Sequence, residues 1–97
     1  MINFKYDIYE KVIKHNGELV QKEKYLEEAK ELSNEVMADI YENKYNRINM
    51  ISEIADNFNT LYELMIIYDI SDTTIENEMM RKMQRTLRDI EFNKTVE

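Results

Sequence analysis

Two short stretches decide how this chain is read: Tyr25–Leu32, YLEEAKEL, and Ile51–Phe58, ISEIADNF. Each holds an acidic pair at i, i+3 spacing, Glu28 with Glu31 and Glu53 with Asp56. On a helix that spacing stacks both carboxylates on one face, a turn apart. If the two helices lie side by side, four carboxylates converge on one spot. Such a group repels itself unless hard cations sit within it, and Mg²⁺, with its preference for oxygen, suits it. Mg²⁺ also binds phosphate, so the pattern points to chemistry on a polyphosphate.

Composition sets the frame. The 97 residues fit one domain, read as 1–92 with 93–97 as a frayed tail. A chain this short buries only roughly 60–65 % of its unfolded surface, so its core is thin and association would help it. Pro is absent, Gly occurs once, and Glu, Lys, Leu, Met and Arg abound, which predicts an all-α fold. No Cys is present, which excludes disulfides and thiolate sites. The net charge of −7 argues against a nucleic-acid binder, but not against nucleotides, whose charge metal ions can meet. The longest apolar run, Leu64–Tyr68, is too short to span a bilayer. Met1–Glu10 carries Asp7 and Glu10 and lacks the apolar stretch of a signal peptide. A soluble, cytoplasmic protein with no membrane partner is the expectation. The methionines read as core filler, and most of the tyrosines as core.

Outward from the acidic pairs, the periodicity predicts four helices. The first covers Ile2 to about Lys14, with Phe4, Ile8, Tyr9 and Val12 along one stripe, and Gly17 is the candidate for a left-handed residue just past its end. The second runs from Glu18 to Tyr41 or Asn43. Its apolar stripe is Leu26, Ala29, Leu32, Val36 and Ile40, so Gln21, Lys24, Glu28, Glu31 and Glu35 fall on the far, solvated side. The polar stretch Tyr41–Asn46 is the connection. The third helix, Arg47 to Tyr68, has a main stripe of Ile48, Ile51, Ala55, Phe58, Tyr62 and Met65. Its opposite face passes from Glu53, Asp56 and Asn57 through Thr60 to Leu64 and Ile67, which predicts burial on two sides. Asp72 or Thr73 caps the fourth helix, with Thr73 and Glu76 as a capping box.

Each motif also has a plainer reading. Acidic pairs arise freely in a chain with 20 acidic residues, and Asp39-x-x-Glu42 is another. Lys82 and Arg85 are either surface cations suited to the helix dipole or phosphate contacts. His15, the single histidine, has no partnered nucleophile, and no Gly-rich phosphate loop is present.

The run Gln21–Leu32, the tetrad Glu53-Ile54-Ala55-Asp56 and the tetrad Lys82-Met83-Gln84-Arg85, in that order, resemble the MazG-like all-α nucleoside triphosphate pyrophosphohydrolases. The resemblance covers about Gln21 to Ile90, and 22 positions separate Glu31 from Glu53. It implies a four-helix bundle completed by oligomerisation as a homodimer or homotetramer. It implies hydrolysis of a nucleoside triphosphate between the α and β phosphates, giving a monophosphate and pyrophosphate. Glu28, Glu31, Glu53 and Asp56 would hold Mg²⁺, and Glu28 or Glu31 would orient the attacking water as general base. Lys82 and Arg85 would contact the phosphates, with Gln21 and Lys24 near the substrate. The chain departs from the family where an apolar residue commonly follows the ExxD aspartate: here stand Asn57, Phe58 and Asn59. Base preference stays open. The competing reading is a non-catalytic dimeric helical interaction module.

Overall fold

A computed structural model describes residues 6–96 of the chain. Four helices follow one another: α1 (Tyr6–Asn16), α2 (Glu18–Glu42), α3 (Arg47–Ile67) and α4 (Asp72–Val96). Among the described residues there is no strand. No helix among them is long and apolar enough to cross a membrane. The predicted start of the first helix, Ile2–Lys5 with Phe4, lies outside the described residues.

The joints between helices follow from a few residues. Gly17 alone separates α1 from α2, at φ 94° and ψ 149°, a region closed to side chains by the clash of Cβ with the backbone. Its N–H donates to Ile13 O at 2.8 Å, closing α1, while its carbonyl accepts from Gln21 N at 3.2 Å, opening α2. The two asparagines flanking the second joint divide the work. Asn43 adopts the left-handed conformation that ends α2, and the Asn46 side chain accepts from Asn49 N at 3.0 Å to start α3. At the third joint the cap is Ser71, not Asp72 or Thr73 as expected from sequence. Ser71 Oγ accepts from Thr74 N at 3.2 Å, so the orphan donor of the first turn is met one residue earlier.

Packing overturns the expected orientation of α2. The helix lies along α3, and α1 covers both. Yet Leu26 and Ile40 of its apolar stripe are 65 % and 62 % exposed, while Gln21 and Glu28 are buried. The face read as solvated is the one turned toward α3. On α3 the burial likewise falls on Asn57, Thr60 and Glu63, with Glu53 and Asp56 half-buried, whereas Ile48, Ile51 and Phe58 of the main stripe stay exposed. Among the described residues the buried apolar side chains are only Ile13 and Tyr62. Tyr62 packs edge-on against Tyr9, ring centroids 5.2 Å apart, but Tyr41, Tyr45 and Tyr68 are exposed rather than in the core.

The fourth helix stands off from the other three. The Tyr62 hydroxyl donates to the Asp72 carboxylate at 3.3 Å and ties down its start. Beyond Ile75 every described position is exposed, including Met79, Met80, Met83, Leu87 and Ile90. The methionines of α4 therefore fill no gap within one chain. The radius of gyration is 17.0 Å, against about 13 Å for a compact chain of similar length.

Candidate metal centre

The two acidic pairs meet where α2 crosses α3. Each of Glu28, Glu31, Glu53 and Asp56 offers a carboxylate oxygen, and these oxygens all lie within 4.8 Å of one another. Ligands on opposite sides of a hard cation are separated by about 4 Å for Mg²⁺ and about 5 Å for Ca²⁺. The four oxygens are thus gathered to the dimensions of a single coordination shell. Glu28 is buried, Glu53 and Asp56 are half-buried, and Glu31 is the most open to solvent.

Little protein charge offsets this gathering. Lys24 Nζ stands 3.0 Å from Glu28 Oε1 and 3.9 Å from Glu27 Oε2. That pairing, with Glu28 first, raises the Lys24 pKa. The Glu31 carboxyl is pushed above the usual range by the negative charge of Glu28, then by desolvation, then by Glu53. Asp56 is raised by burial first and by Glu28 next, with Lys24 opposing. Glu28 Oε2 and Glu53 Oε2 are buried with no hydrogen-bond partner. Buried carboxylate oxygens are ordinarily satisfied, because an unmade bond costs the full desolvation of the group. A divalent cation is the kind of ligand that answers two orphaned oxygens and four mutually repelling carboxylates together, so the residues fit a metal site.

A shell of neutral polar groups holds the carboxylates in place. Asn57 Nδ2 donates to Glu28 O and to Glu53 O, each at 2.8 Å. Thr60 Oγ1 donates to Asp56 O at 3.1 Å. Beside the carboxylates opens a cavity of about 330 Å³, whose walls include Glu28, Asp56, Lys24, Thr60, Gln21 and Glu63. Gln21 and Lys24 therefore do stand next to the acidic pairs, as the sequence suggested. Lys82 and Arg85 do not line this cavity; both are exposed on α4, near Glu78, whose pKa is lowered first by its hydrogen bond with Arg81 and least by the charges of Lys82 and Arg85.

Four neighbours escaped the sequence reading: Asn16, Asn57 as a clamp, Asn59 and Glu63. Glu63 was legible in principle, since Asp56, Thr60 and Glu63 continue one face at i, i+4, i+7. Asn16 reaches the site through the sharp Gly17 joint, which no periodicity reports. No family model, no curated protein and no solved structure matches the chain.

Proposed function

We propose that this chain is a Mg²⁺-dependent nucleoside triphosphate pyrophosphohydrolase of the MazG-like kind, converting (d)NTP to (d)NMP and pyrophosphate. One observation carries the reading: four carboxylate oxygens within 4.8 Å of one another, with Glu28 and Asp56 of the four lining a cavity of about 330 Å³. Pockets for small ligands run from about 300 Å³ upward.

Glu28, Glu31, Glu53 and Asp56 hold the metal. When bound, Mg²⁺ supplies Lewis-acid stabilisation of the charge that develops on the phosphate oxygens. Glu31, the most solvent-open carboxylate, accepts the proton of the attacking water. The water oxygen bonds to the α phosphorus, the bond from that phosphorus to the bridging oxygen breaks, and pyrophosphate leaves with the electron pair. Lys24 holds the Glu28 carboxylate in place through its 3.0 Å contact. Lys82 and Arg85 are the phosphate contacts of this reading. Because they stand on α4, away from the carboxylates of their own chain, they reach the substrate from a second copy. The exposed apolar residues of α2, α3 and α4 support such an assembly, a homodimer or homotetramer.

Pyrophosphate release from a panel of NTPs and dNTPs, with Mg²⁺ and with Mg²⁺ chelated, tests the proposal. Turnover that needs the metal and is abolished by Glu53→Gln is expected. No turnover of any nucleotide, or full activity in Glu53→Gln, overturns it. The exposed apolar surface also supports a second reading, a non-catalytic helical module that only self-associates. That module would show no rise in melting temperature with Mg²⁺ and a non-hydrolysable nucleotide.

A further inference from the structure

Glu63 is a buried acidic group with no part in the proposed chemistry. It is 6 % exposed and lines the same cavity as Glu28 and Asp56. Gln21 Nε2 donates to its Oε2, so a neutral donor meets the carboxyl group. Among the described residues no Lys or Arg stands within ion-pair distance of it. Acidic groups this deeply buried are ordinarily paired with a cation, because the desolvation they suffer is otherwise uncompensated.

The register of the two helices puts a cation beside it. α2 and α3 run antiparallel: Gln21 meets Glu63, Glu28 lies beside Asn57, and Glu31 joins Glu53 in the acidic four. Lys24 is three residues from Gln21 and four from Glu28, on the same helix face. It therefore stands between Glu63 and the acidic four. Among the described residues it is the one cation lining the cavity. Its Nζ rests 3.0 Å from Glu28 Oε1, and its side chain is 48 % exposed. The flexible four-carbon stem of a lysine lets the ammonium turn between neighbouring acceptors.

We propose that Lys24 is a two-position counter-ion, paired with Glu28 in the metal-free chain and crossing to Glu63 when a divalent ion enters the acidic centre. The inference rests on the metal centre of the pyrophosphohydrolase reading and gives Glu63 a role beside it. The contact with Glu28 restrains that carboxylate until the ion arrives. Glu28 Oε2, buried without a hydrogen-bond partner, is open to the ion. A divalent ion there sets two positive charges beside the ammonium on a single carboxylate, where burial leaves them poorly screened. Glu63 keeps lone pairs that Gln21 does not use, so it can receive the ammonium without losing its existing bond. Glu63 is thus the landing site that lowers the cost of loading the metal.

The test is calorimetric titration of the full chain with Mg²⁺ alone, in wild type, Lys24→Met, Glu63→Gln and the double variant. Lys24→Met should bind Mg²⁺ at least about tenfold more tightly, because the competing cation is gone. Glu63→Gln should weaken binding in the wild-type background and do so much less in Lys24→Met, a departure from additivity of at least about threefold. A charge at Glu63 acting only through space would weaken both backgrounds alike. NMR of the wild type reads the move directly, even if a variant fails to fold. The scalar coupling across the hydrogen bond from Lys24 Nζ should run to the Glu28 carboxyl carbon with chelator and to that of Glu63 with saturating Mg²⁺. Mg²⁺ binding with additive effects, or a coupling that stays with Glu28 or is lost, overturns the move and leaves the metal centre standing. No Mg²⁺ binding by the wild type overturns both. The move seen without pyrophosphate release from any nucleotide supports the counter-ion and overturns only the activity.

Discussion

The side-chain amide of Asn57 on α3 donates to the backbone carbonyl of Glu28 on α2 at 2.8 Å, in the buried zone between the helices. Its nitrogen also reaches Glu53 O, so one carboxamide joins the backbones that carry both acidic pairs. Asn57 directly follows the second acidic pair in sequence, and here it acts as a clamp. Replacing it with leucine removes both bonds and sets an apolar group against a polar seam. Asn57→Leu should cost about 1–3 kcal/mol, a fall in melting temperature of several degrees for a chain of this size. Thermal unfolding without metal checks it; an unchanged melting temperature would show the clamp to be idle.

Glu53→Gln separates the functional readings. The substitution relieves like-charge repulsion, so without metal the variant should melt at or above the wild type. With Mg²⁺ the wild type should gain stability as RT ln(1 + [L]/Kd), about 2.7 kcal/mol at a hundredfold excess over Kd, and the variant should lose most of that gain. Melting curves across a Mg²⁺ titration measure both. A wild type indifferent to Mg²⁺ removes the metal centre.

The carboxylates also set a pH dependence. Glu31 and Asp56 both have folded-state pKa values raised above their unfolded ones, by Glu28 foremost for the first and by burial foremost for the second. The folded state then holds protons more tightly than the unfolded state. Their contribution favours folding at low pH and is lost as pH rises through the raised values. Without metal, stability should therefore increase as pH falls from neutrality toward the ordinary carboxylate range of about 4. Mg²⁺ displaces those protons, so saturating metal should flatten or reverse the slope. Denaturant midpoints at several pH values, with chelator and with Mg²⁺, provide the measurement. A rise in metal-free stability with pH over that window contradicts the clustering.

The helices were legible in the sequence because their punctuation is chemical. Gly17, Asn43 and Asn46 each do at a joint what their side chains, or the lack of one, permit. The acidic constellation was legible because i, i+3 spacing survives any packing. What periodicity could not give was which face of α2 turns inward. The rule that apolar stripes face the core assumes that a chain buries them against itself. Here Leu26 looks outward and Glu28 inward, so the seam between α2 and α3 is polar. The cap at Ser71 was missed for a related reason: Ser71, Asp72 and Thr73 are all good caps, and only the bond to Thr74 N selects among them.

Outward-facing apolar stripes carry the last prediction. Met83 and Leu87 lie one turn apart on α4, 64 % and 54 % exposed, on a helix that no other described part of the chain covers beyond its first turn. Monomers rarely leave apolar surface of this extent in water, and a second copy presents stripes of the same kind on α2 and α3. Wild-type protein should sediment as a dimer or larger. Met83→Glu together with Leu87→Glu should shift it toward monomer, since burying two unpaired carboxylates costs several kcal/mol. If Lys82 and Arg85 reach the phosphates from a second copy, the same double variant should lose pyrophosphate release in step with dissociation. Recovery of activity at high protein concentration would tie the loss to assembly. A monomeric wild type with full turnover would place the phosphate contacts elsewhere in the chain.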